Sequence, residues 1–341
     1  MYKYNNLNQT LIGMCQEILR VGVWRGVRGM DCLEIPYPVI IEISNPTDRY
    51  ITIHERKWNR YLPFAESLWI ALGINDLGVL PARYCKNLYT YSDNGTHWRA
   101  GYGPRIRAYS GLGNDVYISD PRYRRIVSGC VAVVDQLKYV IDALNRDINT
   151  RQAIIEIGDP VKDDFDDFVT LSLKETKDYP CTRSIQFMMV DGKLNCTVYI
   201  RSNDVLYGMS AVNIFNFTWM QEYIANIIGV PIGKYYHCAN NLHLYEEQLE
   251  KVKEIALLNL EAFENTYVFQ YRDKISTLEE FDKLCDHLFN YEQLVYRGEC
   301  DEFISFGNDM FDDWAKVFMH YHKECSVPPF VNPYLNKLFK K

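Results

Sequence analysis

Stretches in which apolar residues recur every three or four positions alternate along the chain with short runs of β-branched residues. This pattern is typical of an α+β protein. The helical spacing predicts helices over residues 8–20, 64–72, 130–147, 213–229, 242–263 and 278–295. Strands are predicted over 37–43 and over the two runs that flank Asp191-Gly192, a dipeptide that favours a hairpin turn.

Two stretches lack a clear period. Residues 92–113 are rich in Gly and Tyr and are expected to form loops. Residues 326–341 contain three Pro and a basic end, and are expected to form an ordered tail or an arm. No segment between the predicted elements has the composition of a linker, so we expect one α+β domain with a mixed β-sheet and C-terminal helices.

Composition places the chain among ordinary globular proteins. Its 341 residues are 48% hydrophobic, with 37 Lys and Arg against 44 Asp and Glu, a net charge of −7. This acidic balance argues against nucleic acid as a partner, because phosphate backbones bind basic surfaces. The acidic balance does not exclude small anionic ligands.

The sequence predicts neither a membrane span nor a signal peptide. No run approaches the roughly 20 apolar residues of a membrane span, and the first residues lack a signal peptide's apolar core. We therefore expect a cytoplasmic protein without a membrane partner.

Cys181 is the cysteine that best suits a catalytic role. The ten Cys are scattered without a Cys-x-x-Cys pair, so the sequence predicts no metal site and mostly buried thiols. Pro180 precedes Cys181 directly before a predicted strand. A neighbouring Arg, such as Arg183, would make the thiolate of Cys181 available. On local sequence alone, a buried packing cysteine is the alternative.

Three other features carry candidate chemistry. Glu66 lies inside an apolar predicted helix, where a carboxyl group is either ion-paired or acts as a general acid or base. Arg201-Ser202 ends a predicted strand and suits a phosphate clamp, since a guanidinium binds two oxygens at once; an ordinary polar strand end is the alternative. His237, His243 and Tyr245 do not have metal-ligand spacing. They suit contacts to sugar hydroxyls, or are ordinary satisfied side chains.

Together, in this order and spacing, these pieces resemble one family over roughly residues 20–260. It comprises the thymidylate synthases and the related pyrimidine-nucleotide hydroxymethylases. The matching pieces are Glu66-Ser67-Leu68-Trp69, Tyr102-Gly103, Asp135-Gln136-Leu137, Arg151, Pro180-Cys181, Gln186-Phe187, Asp191-Gly192-Lys193-Leu194, Arg201-Ser202-Asn203-Asp204, Gly208, Asn213 and His243-Leu244-Tyr245. The resemblance implies a thymidylate synthase-like fold for residues 1–265. Residues 266–341 are then a C-terminal helical extension packed on the same domain.

The resemblance also implies a reaction. Cys181 corresponds to the nucleophile that adds to C6 of a pyrimidine nucleoside 5′-monophosphate and so activates C5 towards 5,10-methylenetetrahydrofolate. Hydride then gives a methylated product, and water gives a 5-hydroxymethylated one. Glu66 corresponds to the carboxylate that moves protons and orders water near C4 and C5. Arg201 corresponds to a residue that helps to hold both the thiolate and the phosphate.

The remaining site residues follow from the same resemblance. Ser202 and Arg28 (or, as a weaker match, Arg25) correspond to phosphate contacts. Arg151 corresponds to an arginine that reaches the other subunit's phosphate, which implies a homodimer. His243 and Tyr245 correspond to sugar-hydroxyl contacts.

The base and the folate have their own matching residues. Asn213 corresponds to the residue that reads the pyrimidine edge; it favours uracil, although an amide can turn over and cytosine stays open. Asp204 corresponds to the carboxylate that faces the folate pterin, with Trp69 and Gly208 placed on the same cofactor side. Deoxyribose is favoured over ribose without being fixed.

This chain also departs from the synthase pattern. The gap from Gly208 to Asn213 is one residue longer than in typical synthases, and the chain continues past residue 260 where synthases end in a short tail that excludes water. The other differences are Gln152, Thr182, Ile200, Asn240-Asn241 and Pro104-Arg105-Ile106-Arg107. We therefore rank a hydroxymethylase, with dUMP favoured over dCMP or CMP, above a thymidylate synthase. A non-catalytic nucleotide-binding protein is the third interpretation.

Overall fold

Six of the described strands form a mixed sheet at the centre of the fold. The structure is a computed structural model that describes residues 1–27, 29–110, 133–167, 169–323 and 327–339. The described strands are, in chain order, β1 (Tyr2–Tyr4), β2 (Val23–Val27), β3 (Met30–Glu34), β4 (Val39–Ile43), β5 (Tyr109–Ser110), β6 (Val133–Val134), β7 (Ile154–Glu156), β8 (Phe165–Asp167), β9 (Ser172–Leu173), β10 (Thr182–Val190), β11 (Lys193–Ile200), β12 (Asn203–Asp204), β13 (Ile232–Ala239) and β14 (Leu242–Tyr245).

The main sheet has the strand order β1-β4-β13-β11-β10-β7, and a smaller sheet has the order β12-β14-β3-β2. In the main sheet β1–β4 and β11–β13 are parallel, while the other neighbours are antiparallel. The predicted mixed sheet is therefore confirmed. Since β12 directly follows β11 and β14 follows β13, the small sheet starts where two central strands of the main sheet end.

Helices surround the sheet. Those described are, in chain order, α1 (Leu7–Val21), α2 (Leu62–Ala71), α3 (Pro81–Tyr84), α4 (Tyr102–Arg107), α5 (Gln136–Arg146), α6 (Pro160–Asp163), α7 (Ile214–Ile227), α8 (Leu249–Ala256), α9 (Leu278–Arg297), α10 (Asp309–Lys323) and α11 (Pro333–Leu338). Local sequence sets several helix ends. The side chain of Asp135, for example, accepts a hydrogen bond from the amide of Lys138 and so caps α5.

The hairpin of β10 and β11 fixes which residues face the core. Asp191 and Gly192 have φ angles of 51° and 73°, the left-handed pair that a tight two-residue hairpin requires. The resulting register buries Phe187 opposite Cys196 on one face of the sheet. Helix α7 packs on this inner face, where Gln221 donates to the carbonyl of Leu194 at 2.8 Å and so ties the helix to β11.

The C-terminal helices pack into the same hydrophobic core. Trp314 of α10 is 2% exposed, stacks on Trp219 of α7 with ring centroids 4.2 Å apart, and meets Phe64 edge-on at 4.9 Å. Arg107 of α4 binds Asp282 of α9 at 2.8 Å. The predicted division between residues 265 and 266 stays a prediction, because these contacts do not locate a boundary.

Three predicted elements are wrong in part. Residues 242–263 do not form one helix, because β14 first pairs with β3 and only Leu249–Ala256 is α-helical. Residues 92–113 are not all loop: Tyr102–Arg107 form α4, and residues 111–113 lie outside the described ranges.

The helix predicted over 130–147 is shorter than expected. Val133–Val134 pair with β5, and the helix begins only at Gln136, after its Asp135 cap. Residues 130–132 lie outside the described ranges. The sequence patterns also missed β13 and α10. Within the described ranges, none of the helices is long and apolar enough to cross a membrane.

Candidate active site

Cys181 and Arg201 meet where the β10–β11 hairpin opens. Thr182, the first residue of β10, pairs with Ile200, the last residue of β11, so the residues just beyond them are neighbours. The amide of Arg201 donates to the carbonyl of Cys181 at 2.9 Å. The Nη2 atom of Arg201 lies 3.7 Å from the Sγ atom of Cys181. The antiparallel register therefore places a cation beside this thiol.

The guanidinium of Arg201 is held in place by the segment that precedes the cysteine. It donates to the carbonyls of Pro180 at 3.0 Å and Tyr179 at 2.9 Å, and its carbon lies 4.8 Å from the centre of the Tyr179 ring. By contrast, burial raises the pKa of the Cys15 and Cys196 thiols, which keeps them protonated in the core. Cys181 is half-buried, and a fixed cation beside a half-buried thiol favours the reactive thiolate.

Glu66 of α2 is a buried carboxyl group that is held by an amide rather than by a cation. Its Oε1 atom accepts from Asn216 Nδ2 at 2.8 Å, and Asn216 Oδ1 in turn accepts from Ser67 at 2.7 Å. Burial raises the pKa of Glu66 to about 7, against the opposing effect of the Asn216 hydrogen bond. No ion pair to Glu66 exists among the described residues. The group therefore changes charge close to neutral pH, as an acid–base residue must.

Asn213 ends a π-helix, Val205–Asn213, that leads directly into α7. A wide π-helical turn accommodates an inserted residue, which agrees with the longer gap between Gly208 and Asn213 that the resemblance indicates. A Cβ atom at Gly208 would lie 2.3 Å from Asn203 Nδ2 and 3.0 Å from Asn213 Oδ1, so glycine is required there for packing. The side chain of Asn203 donates to Asn213 Oδ1 at 2.9 Å.

Asp204 caps the start of the same π-helix. Its Oδ1 atom accepts from the amides of Leu206, at 2.7 Å, and of Tyr207. Its Oδ2 atom is buried without a hydrogen-bond partner among the described residues. Burial raises the pKa of Asp204 to about 6, although the backbone amides of Tyr207, Leu206 and Tyr245 act in the opposite direction. An unpartnered carboxylate oxygen fits a ligand that brings N–H donors.

His243 and Tyr245 lie on β14, next to Arg201. Burial lowers the pKa of His243 to about 4, and the charge of Arg201 acts in the same direction, so the two side chains are within electrostatic range. The Nδ1 atom of His243 donates to Asn241 Oδ1 at 2.8 Å, which leaves Nε2 as an acceptor. Burial raises the pKa of Tyr245 to about 12, with smaller contributions from Asp204 and Cys181.

Trp69, Ser202 and Arg151 are further candidate residues that the structure describes. Trp69 is buried, and its indole donates to the carbonyl of Asp76 at 2.7 Å, so its polar atom is used within the fold. Ser202 follows Arg201 and is half-buried. Arg151 is exposed, and its carbonyl accepts from Gln186 at 3.0 Å.

Of the two N-terminal arginines expected as phosphate contacts, the structure describes Arg25 but not Arg28. Arg28 lies outside the described residues. Arg25, on β2, has its Nε atom 3.3 Å from an oxygen of Glu34. No group of three or more His, Cys, Asp or Glu side chains suited to a metal ion was found in the part of the chain that the structure describes.

Sequence reasoning missed several residues of this region. Asn216 holds Glu66, Asn203 holds Asn213, and Asn241 orients His243. Tyr102 belongs to one of the matching motifs without an assigned role, yet its hydroxyl accepts from the amide of Thr182 at 3.1 Å, next to Cys181. Asn216 belongs to no motif in the sequence. The available signals are Asn203, inside the Arg201-Ser202-Asn203-Asp204 motif, and the pair Asn240-Asn241 in place of the usual Gly-Asp.

Comparison with known proteins agrees with this geometry. The family model described as thymidylate synthase matches residues 9–293. A deoxyuridylate hydroxymethyltransferase of Bacillus phage SP01 is 31% identical over 293 residues, which cover 84% of this chain and 68% of that protein. A protein of the same name from Pseudomonas phage M6 is 29% identical over 74% of this chain and 64% of its own length.

A thymidylate synthase of Listeria monocytogenes serotype 4a (strain HCC23) is 30% identical over 146 residues, or 43% of this chain and 42% of its own length. For the two phage relatives, this chain spans about two thirds of their length. The family match covers most of the chain and includes Glu66, Cys181, Arg201, Asn213 and His243. The chain belongs to the thymidylate synthase family.

Proposed function

We propose that this chain transfers a hydroxymethyl group to C5 of a pyrimidine nucleoside 5′-monophosphate, with dUMP as the favoured substrate and 5,10-methylenetetrahydrofolate as the one-carbon donor. One observation carries the proposal: Arg201 Nη2 lies 3.7 Å from the Sγ atom of Cys181, where the β10–β11 hairpin opens. The names of the phage relatives support the hydroxymethyl product and the uracil base. The cytoplasmic location predicted from the sequence is part of the same proposal.

The proposed chemistry begins at the thiol. The Cys181 thiolate adds to C6 of the base, and the electron pair that this places at C5 forms a bond to the one-carbon unit that methylenetetrahydrofolate supplies. C5 then loses its proton, and release of tetrahydrofolate leaves an exocyclic methylene. Water adds to that methylene, and departure of Cys181 restores the C5–C6 double bond. The sum is nucleotide, methylenetetrahydrofolate and water giving hydroxymethyl nucleotide and tetrahydrofolate.

Glu66 is the proposed proton acceptor for the water that adds. Its pKa of about 7 makes the carboxylate and the acid both accessible at neutral pH. Asn216 fixes the Oε1 atom through its hydrogen bond at 2.8 Å, which leaves Oε2 for water. A synthase would instead exclude water at this step.

The nucleotide is proposed to bind along β11, β12 and β14. Arg201, Ser202 and Arg28 are the phosphate contacts, with Arg201 also beside the thiolate. The free Nε2 acceptor of His243 and the hydroxyl of Tyr245 suit the donors and acceptors of a sugar hydroxyl. Asn213 is the proposed reader of the base edge.

The folate is proposed to lie on the side of Asp204. The buried Oδ2 atom of Asp204 lacks a partner among the described residues and would accept from N–H groups of the pterin. Gly208 and Trp69 are the other proposed cofactor-side residues. The indole N–H of Trp69 donates to the carbonyl of Asp76, so it is not available to the folate. Of the cofactor-side residues, Asp204 is therefore the one with a direct polar role in this proposal.

We also propose that the active form is a homodimer with shared sites. The outer face of the main sheet exposes apolar residues: Ile40 is 43% exposed, Val190 is 44% exposed and Tyr199 is 45% exposed. A second copy on this face would bury them. Gln186 also points to this face and holds the carbonyl of Arg151, which places the exposed Arg151 at its edge. Arg151 is the proposed contact to the partner's phosphate.

Product analysis tests the activity. The protein is incubated with methylenetetrahydrofolate and dUMP, dCMP, UMP or CMP, and the nucleotides are measured by mass spectrometry. A gain of CH2O on dUMP, with tetrahydrofolate released, is expected. A gain of CH2 with dihydrofolate would make the chain a thymidylate synthase, an alternative that the Listeria relative supports. No product from any of the four would favour a nucleotide-binding protein without catalysis.

Cys181→Ser is the matched test of mechanism. It should remove turnover and spare dUMP binding, because the hydroxyl is a far weaker nucleophile than the thiolate. Cys300→Ser is the control, since Cys300 contacts the carbonyl of Glu302 far along the chain from this site. Full activity of Cys181→Ser would rule out the covalent mechanism.

A further inference from the structure

A chain of hydrogen bonds leads from the inner face of the main sheet to Asn213. The hydroxyl of Tyr235 lies 3.0 Å from His237 Nδ1, and His237 Nε2 lies 2.8 Å from Asn203 Oδ1. Asn203 Nδ2 then donates to Asn213 Oδ1 at 2.9 Å. Tyr235 and His237 are fully buried, and Asn203 and Asn213 are 4% and 9% exposed. We call these four side chains the amide relay.

The relay has two self-consistent directions. Burial lowers the pKa of His237 to about 3, so the ring is neutral and carries one N–H. If that proton is on Nε2, Asn203 turns its oxygen to the ring and its amino group to Asn213, whose own oxygen accepts. If it is on Nδ1, every link reverses, and Asn213 must donate to Asn203. The tautomer of His237 therefore fixes how the Asn213 amide is turned.

The hydroxyl of Tyr235 decides between the two directions. Its one hydrogen-bond partner among the described residues is His237 Nδ1. In the first direction the hydroxyl donates to Nδ1, and its proton is satisfied. In the second direction the ring donates to the hydroxyl, and the hydroxyl proton is buried without an acceptor. An unsatisfied buried donor is costly, so the first direction is favoured.

The favoured direction matches one pyrimidine. Asn213 then presents its amino group as a donor and keeps one lone pair of Oδ1 free as an acceptor. Uracil offers the complement, an acceptor at O4 and a donor at N3; cytosine offers the reverse at both positions. We propose that Tyr235, His237 and Asn203 are positioning residues that lock the Asn213 amide in the uracil-reading orientation. This inference rests on the proposed function in that Asn213 reads the base.

The residues of the relay are scattered along the chain. Tyr235 and His237 are two residues apart on β13, so both side chains point to the same, inner face of the sheet. Asn203 comes from β12, and Asn213 comes from the end of the π-helix. Only the folded sheet brings the three segments together.

The selectivity of nucleotide binding tests the relay without requiring turnover. Kd values for dUMP and dCMP are measured by calorimetry for the wild type, Tyr235→Phe and Asn203→Asp. Tyr235→Phe removes the hydroxyl whose proton favours the first direction of the relay. The dUMP-to-dCMP selectivity should therefore fall roughly 10- to 100-fold. A carboxylate at position 203 only accepts, so it forces Asn213 to donate inward and should shift the preference towards dCMP. Tyr139→Phe is the control, because Tyr139 is 45% exposed on α5.

The possible results are distinct. Equal weakening of dUMP and dCMP binding in both variants, with selectivity unchanged within about threefold, would show a merely structural role and overturn the proposal. A wild type that prefers dCMP would also overturn it, even if it hydroxymethylates dCMP and so keeps the proposed reaction. A wild type that selects dUMP without turning it over would rule out the proposed reaction and leave the relay supported.

The tautomer of His237 gives a second measurement that is independent of nucleotide and of the variants' folding. In ¹⁵N NMR spectra of the wild-type protein, the ring should carry its proton on Nε2. A proton on Nδ1 would overturn the proposal directly, because it sets the opposite direction of every link.

Discussion

Replacing Glu66 with Gln should make the protein more stable while it removes most of the activity. The carboxyl group is buried in α2, and its hydrogen bond from Asn216 does not compensate for the loss of water. Burial raises its pKa from 4.5 to about 7. The folded state therefore holds the proton more tightly than the unfolded state does.

The magnitude follows from this rise in pKa. Because the folded state binds the extra proton between the two pKa values, the stability that this group contributes is lost as pH rises from 4.5 to about 7. A tenfold change in a proton equilibrium is worth about 1.4 kcal/mol. The carboxyl group therefore destabilises the fold by roughly 3 kcal/mol at about pH 8, where it is ionised in both states, and by roughly 1 kcal/mol at about pH 5, where it is mostly ionised in the unfolded state alone. Glu66→Gln removes this difference.

Urea unfolding at about pH 5 and about pH 8 measures the effect, and the gain from Glu66→Gln should be about 2 kcal/mol larger at the higher pH. Any packing penalty of the new amide acts equally at both pH values and cancels in this comparison. The same variant should lose roughly 10²- to 10⁴-fold in turnover, the usual contribution of a positioned acid–base group.

Glu292→Gln is the matched control. Glu292 is also fully buried, but it binds Arg83 at 2.7 Å and His322 at 3.0 Å. Breaking this buried network should destabilise the protein, by about 3–5 kcal/mol for a pair that loses one partner. The reasoning is refuted if Glu66→Gln shows the same stability difference from the wild type at both pH values.

Three further predictions concern the dimer, the core and the packing at Gly208. Mixing Arg151→Ala with Cys181→Ser should restore roughly a quarter of the activity, because half of the re-formed dimers would hold one intact shared site; no recovery on re-association would refute the shared site. Trp314→Ala should lower the free energy of unfolding by about 3–5 kcal/mol in urea titrations, since it empties the stack on Trp219; a change below about 1 kcal/mol would show that the C-terminal helices are not part of the core. Gly208→Ala should weaken dUMP binding in calorimetry, because the new Cβ would lie 2.3 Å from Asn203 Nδ2; unchanged affinity would mean that the amides shift without loss.

The order of the motifs along the chain is enough to identify the family. The motif residues can be recognised without knowing the fold, because each is identified by its own functional group: the thiol of Cys181, the carboxyl group of Glu66 and the guanidinium of Arg201. Local rules also predict the hairpin at Asp191-Gly192 and the helices α1, α2, α7 and α9, since turn residues and apolar periodicity act over a few positions. The family match confirms the family, and the observed helices and the β10–β11 hairpin confirm the local predictions.

Other features depend on contacts between distant segments. Residues 242–245 have a helix-compatible composition, but β3 offers them backbone partners, and pairing overrides local preference. The pKa of Glu66 is set by burial and by Asn216, which lies 150 positions further along the chain. The direction of the Asn213 amide is set by Tyr235 through two other side chains. The sequence by itself thus determined the chemical groups and the family; the tertiary structure decided their protonation, orientation and neighbours, because burial and hydrogen bonding are properties of the packed chain.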